Sequence, residues 1–164
     1  MIIGVIGGES SSMDEERVAY EVGHEIARRG HALICGGRHG IMREACRGAR
    51  EAGGHTIGIL PGEDVSDMNE FVEFPIVTGL GHARNTIIPR TADAVIAIGG
   101  RYGTLSEIAF ALIAGKPIAG LNTWQLVAPG GEAPPVIPFD PPAEAIDYCE
   151  RAAAPGGNHV HRAH

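Results

Sequence analysis

The chain has 164 residues, 44% of them hydrophobic but only 5% aromatic, so a core sized for one domain must be packed mainly by aliphatic side chains. Charged residues make up 20% and the formal net charge is −7. That balance excludes a disordered chain and argues against a nucleic-acid polymer as partner, since phosphate backbones select basic faces.

Ile2–Ile6 is short, apolar and β-branched and stops at Gly7-Gly8, which predicts a buried strand. Ser10, Ser11, Ser12 and Asp14 offer N-caps for a helix whose face is Val18, Val22 and Ile26, ending at Arg28-Arg29-Gly30. Ala32–Cys35 is the second strand, stopped by Gly36-Gly37. Ile41, Met42, Ala45, Ala49 and Ala52 mark the second helix, and Thr56–Leu60 the third strand, which ends at Pro61-Gly62. This β-α-β-α-β alternation predicts an α/β fold with a mostly parallel sheet and helices on both faces.

Glu63–Glu70 is polar and reads as loop. Phe74–Thr78 predicts a fourth strand and His82–Thr91 a short helix that Pro89 must kink, unless it sits near a break. Ala94–Ile98 is a fifth strand, stopped by Gly99-Gly100. Leu105, Ile108, Ala109 and Leu112 form another helical face, and Pro117–Leu121 a sixth strand. The run Ile108–Ala114 is apolar nearly all round, which predicts a helix covered on both sides. Val136-Ile137 suits a short edge strand, and Asp140–Ala154 a final helix with Pro141 and Pro142 in its first turn. The expected organisation is one nucleotide-binding domain over residues 1–154 and a loose tail over 155–164.

The three cysteines, Cys35, Cys46 and Cys149, have no metal-like spacing and read as buried free thiols in a reducing compartment. The N-terminal run lacks a basic leader, and no stretch is long and apolar enough to span a bilayer, so a soluble cytoplasmic protein without a membrane partner is expected. No metal site is expected. His39 and His82 lack ligand partners at useful spacing, and His159, His161 and His164 fall in the tail.

An open parallel sheet binds ligands beyond the carboxyl ends of its strands. Here those ends carry Gly7-Gly8, Gly36-Gly37, Pro61-Gly62 and Gly99-Gly100. Such turns let a phosphate approach the main chain where a following helix offers free N–H groups. There is no G-x-G-x-x-G after the first strand, no acidic residue ending the second, no G-x-x-x-x-G-K-[ST], no G-x-S-x-G and no H-E-x-x-H. Dinucleotide-binding domains of the standard kind, P-loop NTPases, α/β-hydrolases and zincins are thereby set aside. Three segments carry chemistry: Gly99-Gly100-Arg101-Tyr102-Gly103-Thr104-Leu105-Ser106-Glu107, Gly81-His82-Ala83-Arg84-Asn85, and Cys35-Gly36-Gly37-Arg38-His39-Gly40-Ile41-Met42. Thr104 and Glu107 fit a capping box, so Glu107 is either a helix cap or a reactive carboxylate. Glu9 and the serines after it read chiefly as a polar capping loop, and Trp124 as packing.

These segments resemble, in the same order, the P-G-G-x-G-T-x-x-E, M-H-E-R-K and G-G-G-x-x-G-L-M motifs of the Lonely-Guy or lysine-decarboxylase-like (SLOG) superfamily. The likeness runs from Ile2 to about Leu121. It is nearest the short branch that includes molybdenum-cofactor-carrier-like proteins. The resemblance implies a three-layer Rossmann-like fold, a homodimer or higher homo-oligomer, and a small phosphorylated ligand. It implies hydrolysis of the N-glycosidic bond of nucleoside 5′-monophosphates to free base and ribose 5-phosphate. The alternative is a non-catalytic carrier or sensor of molybdenum cofactor or another nucleotide derivative, and a structural subunit is the weakest reading. No cofactor is required, though a nucleotide or molybdopterin-type ligand can be bound. By position, Arg84 and Glu107 match the catalytic pair. The ligand-binding set implied by the motifs and the glycine turns is Gly7, Gly8, Ser10, Gly36, Gly37, Gly40, Met42, Pro61, Gly62, Asn85, Gly99, Gly100, Arg101, Tyr102, Gly103 and Thr104. The sequence departs from the motifs where Gly99 replaces Pro, Arg101 a Gly, Gly81 the Met, Ala83 the Glu and Asn85 the Lys.

Overall fold

The computed structural model describes residues 1–127, 129–131 and 135–155. Apolar runs bounded by glycine pairs become strands β1 Ile2–Gly7, β2 Ala32–Cys35, β3 Thr56–Leu60, β5 Ala94–Ile98 and β6 Ile118–Leu121. β4 is Phe74–Val77 and β7 Ile137–Pro138. All pair in parallel in one seven-stranded sheet of order β4-β3-β2-β1-β5-β6-β7. Strand order reverses beside β1, so β1 and β5 flank the switch point where open α/β sheets hold ligands.

The helices are α1 Met13–Arg28, α2 Ile41–Glu51, α3 Ile87–Thr91, α4 Tyr102–Ile113 and α5 Pro142–Ala153. Successive strand residues point to opposite faces, and two cores result. On one face Ile3, Val5, Leu33 and Ile96 pack under Val22 and Ile26 of α1, Ala45 and Ala49 of α2 and Ile146 of α5. On the other, Ile6, Ile34, Ile59 and Val95 pack under Ile88 of α3 and Ile108 and Ala111 of α4. This is the three-layer Rossmann-like arrangement expected.

Several boundaries differ from the sequence reading. The helix expected over 82–91 is a 3₁₀ helix, Gly81–Thr86, running into α3, with Pro89 inside α3. Its first residue, Gly81, has φ 53°. β4 ends at Val77 and all four of its residues are exposed, because it is a sheet edge. The final helix begins at Pro142, with Pro141 as its N-cap. Among the described residues the outer face of α4 is not covered: Ala109 is exposed and Ile113 is 71% exposed. Apart from Pro155, the expected tail, with its histidines, lies outside the described residues. Among the described residues no helix is long and apolar enough to cross a membrane.

Candidate functional site

A cleft of about 270 Å³ opens at the carboxyl ends of β1, β2 and β5. Val5 and Ile6 form part of its wall. The loop after β1 contributes Gly7, Gly8, Glu9 and Ser10, and the loop after β2 contributes Gly36, Arg38 and Met42. His82, Arg84 and Asn85 come from the 3₁₀ helix, and Arg101, Gly103, Thr104 and Glu107 from the start of α4. Segments far apart in sequence meet because parallel crossovers return each strand's end to one edge.

Arg84 is 8% exposed, and its Nη1 donates to the Ile59 carbonyl at 2.7 Å. It passes directly over Gly36, where an added Cβ would collide with both terminal guanidinium nitrogens and with Met42 Sδ. Gly36 is therefore the residue that lets Arg84 reach the cleft. Burial lowers Arg84 from the ordinary guanidinium value, while Glu107 and Cys35 raise it; it stays a cation. Beneath it, Cys35 Sγ accepts the Gly37 N–H at 3.3 Å and lies 3.4 Å from Cys46 Sγ. All three cysteines are buried free thiols.

Glu107 is 7% exposed. Burial pushes its carboxyl up to about 8, against the pull of Arg84. Among the described residues no ion pair within 4.0 Å joins it to Arg84. The expected capping box is overturned. The N-cap of α4 is Arg101, with no side-chain cap bond, and Thr104 and Glu107 lie within the helix. The residue pattern suited a cap, but the chain enters the helix earlier, at Tyr102, so Glu107 turns into the cleft.

The start of α4 is the natural seat for an anion. No acidic residue lies in its first turn and its first N–H groups have no side-chain cap. α1 is the opposite case. Ser12 and Glu15 close a capping box there, and Asp14, Glu15 and Glu16 crowd the first turn. Arg101 holds φ −116° and ψ −154°, extended backbone that any residue adopts, so an arginine in place of glycine costs no strain. Gly99 has φ 50°, a conformation closed to proline. The loop before α4 therefore differs in path from one that begins with Pro.

Of the other expected residues, Asn85 lines the cleft, and the rest lie around it without lining it. Gly37 and Gly40 form the turn before α2, whose Ile41 N–H donates to the Gly8 carbonyl at 3.1 Å. Pro61 and Gly62 accept backbone bonds from Gly81 and Gly79, at 3.0 and 2.8 Å. Gly99 packs on the Glu15 side chain and Gly100 on Thr104. Tyr102 points outward, 81% exposed. Asn85 is buried and donates to Ser106 Oγ at 3.0 Å, which ties the 3₁₀ helix to α4.

Sequence reasoning passed over Arg38, and it weighed Glu9 and His82 near the cleft but read both as structural; all three line it. Each adjoins a motif residue, and Glu9 and Arg38 follow glycine pairs, which was the available signal. Arg38 Nε lies 2.9 Å from Glu9 Oε1, an ion contact at an angle too poor for a hydrogen bond. Its Nη2 lies 3.6 Å from Asp67. The cleft thus sets three guanidinium groups against Glu9 and against Glu107, whose proton burial holds, in a chain whose net charge is −7. Among the described residues no group of three His, Cys, Asp or Glu side chains is placed to hold a metal ion.

The model of the SLOG cluster4 family matches residues 1–144. A protein from Archaeoglobus fulgidus is 43% identical over 155 residues, 91% of this chain and 94% of that one. The rice probable cytokinin riboside 5′-monophosphate phosphoribohydrolase LOGL9 is 33% identical over 120 residues, 63% of this chain. The chain spans 50% of that protein's length. Among solved structures, the molybdenum cofactor binding protein of Rippkaea orientalis superposes with a TM-score of 0.81 at 36% identity, covering 91% of this chain and 94% of that one. The molybdenum cofactor carrier protein of Chlamydomonas reinhardtii gives 0.79 at 38% identity, covering 91% and 96%.

Proposed function

The chain belongs to the SLOG cluster4 family, and from that premise we propose that its cleft binds a phosphorylated nucleotide-like ligand and hydrolyses the N-glycosidic bond of nucleoside 5′-monophosphates. The observation that carries the reading is the convergence of buried Arg84 and buried Glu107 beside the uncapped, acid-free start of α4. The 5′-phosphate sits on the N–H groups of Gly103 and Thr104, with Arg101 beside it. The ribose then lies toward Glu107. Water adds to C1′ as the C1′–N bond breaks, the base leaves with a proton, and ribose 5-phosphate remains. Ionised Glu107 stabilises the oxocarbenium-like centre and takes the proton of the attacking water. Arg84 holds the substrate in register. Because burial holds the Glu107 proton up to about 8, kcat/KM rises with pH through that region.

A second reading, retention without turnover, is favoured by two observations. Similarity to the two molybdenum-cofactor proteins spans 91% of this chain. The loop before α4 also has the Gly99 conformation that proline cannot adopt. In that reading the same phosphate seat holds a molybdopterin-type ligand. Either ligand, and the free thiols, suit a reducing cytoplasm, and a second copy of the chain covers the outer face of α4.

The test is release of free base from AMP by the parent chain and by Glu107→Gln, followed by chromatography. Release by the parent, reduced at least a hundredfold in the variant, is expected. No release, with thermal stabilisation by a pterin phosphate, moves the protein to the carrier reading.

A further inference from the structure

We propose that a second ring-binding subsite lies on Trp124, on the far side of the α4 start from the cleft, and takes the flat heteroaromatic end of a diphosphate-linked ligand. The proposal rests on the reading of α4 as the phosphate seat. β6 ends at Leu121, and Asn122 turns the chain at φ 48°. The residues that follow are stitched to the loop after β5. Thr123 Oγ1 donates to the Gly99 carbonyl at 2.6 Å, and Trp124 Nε1 to the Arg101 carbonyl at 3.3 Å. The only tryptophan of the chain is therefore fixed to the residue that caps α4.

Tyr102 stands beside it, ring centroids 6.0 Å apart and planes 34° from parallel. Its 81% exposure leaves that pair open on the sheet's carboxyl edge. Behind the indole is a pocket of about 400 Å³, lined among the described residues by Trp124, Leu126 and Val136 and by the polar Asn122, Thr123 and Gln125. An aromatic wall with a few amide and hydroxyl groups is what a purine-like ring needs: a face to stack on and partners for its edge.

Arg101 joins the two cavities. It lines the cleft, and its carbonyl accepts the Trp124 indole N–H. A nucleoside in the cleft with one phosphate on α4 ends there. A second phosphate lies beside Arg101 and carries a second ring onto Trp124.

The experiment compares AMP, ADP-ribose and diadenosine diphosphate by calorimetry, with tryptophan fluorescence as the local readout. Diadenosine diphosphate is expected to bind at least fivefold tighter than ADP-ribose, the order of one stacked base, and alone to quench Trp124. Trp124→Leu erases that advantage. Trp124→Phe keeps it, since a ring remains although the N–H to Arg101 is gone. Equal affinity for diadenosine diphosphate and ADP-ribose overturns the subsite, as does an advantage that survives in Trp124→Leu. If the advantage is lost in the Phe variant as well, Trp124 only fixes the loop and the subsite is overturned. If none of the three binds, the phosphate seat fails with it, whereas AMP binding with equal second-ring affinities overturns the subsite alone.

Discussion

Glu107 is held protonated by its surroundings, and that has a measurable consequence for stability. The folded chain keeps its proton up to about 8, against the ordinary carboxylate value of 4.5. Below 4.5 both folded and unfolded states are protonated and nothing is lost. Between 4.5 and 8 the unfolded state ionises while the folded state does not, so stability falls as pH rises. The loss is complete above 8, at about 5 kcal/mol as an upper bound. Glutamine has the same shape and does not titrate. In urea unfolding, Glu107→Gln should therefore gain on the parent by about 2 kcal/mol or more between pH 5 and pH 8.5. A difference between parent and variant that stays constant over that interval would sink the idea that burial sets the proton. At this scale the sequence was legible in part. Arg84 and Glu107 stand in motifs, and the fold brings both into one cleft. Arg38 was not legible as a cleft residue, because its place depends on where the loop after β2 comes to rest. Thr104 and Glu107 matched a capping pattern that a cap built from Arg101 backbone alone displaces.

Helices α1 and α2 cross so closely that glycine is a packing residue at the contact. A Cβ on Gly23 of α1 would run into the backbone of Ala45, and one on Gly48 of α2 into the backbone of Tyr20. Helix propensity alone favours alanine over glycine by about 1 kcal/mol. The crossing reverses that sign, because the obstacle is main chain and cannot rotate away. Gly23→Ala is expected to destabilise the chain by about 1–3 kcal/mol, read as a lower urea midpoint with unchanged helix content. A stabilised variant would mean the helices separate freely. β1, β2, β3, β5 and β6 were readable because each is an aliphatic run ended by glycine, proline or a polar turn. β4 was harder: it carries Pro75 and is wholly exposed, so its partner and not its burial defines it. The 3₁₀ helix looked like one piece with α3 because the one breaker in His82–Thr91 is Pro89, whereas the helix changes type earlier, between Thr86 and Ile87. The chain tightens there as Arg84 reaches under the sheet edge to Ile59.

For the whole molecule, the question is what covers α4. Its inner face is closed by Ile108 and Ala111, both at 0% exposure. Its outer face leaves Ile113 71% exposed, with Ala109 exposed and Phe110 half-buried. Sequence suggested a helix covered on both sides, and among the described residues only one side is. A second copy meeting this face would remove those side chains from water at about 25 cal/mol per Å², without touching the charged surfaces of α1 and α2. Sedimentation velocity of the parent is expected to show a dimer. Ile113→Asp places an unpaired charge in the contact, which should yield a monomer with unchanged circular dichroism. Because the same helix carries Glu107 and the proposed phosphate seat at its start, loss of the partner should also loosen the cleft. The monomer should then bind AMP several-fold more weakly, although Ile113 lies at the opposite end of α4. A monomeric parent would show that the apolar face is tolerated open. A monomeric variant with undiminished AMP affinity would show that α4 is held in place by its own chain alone.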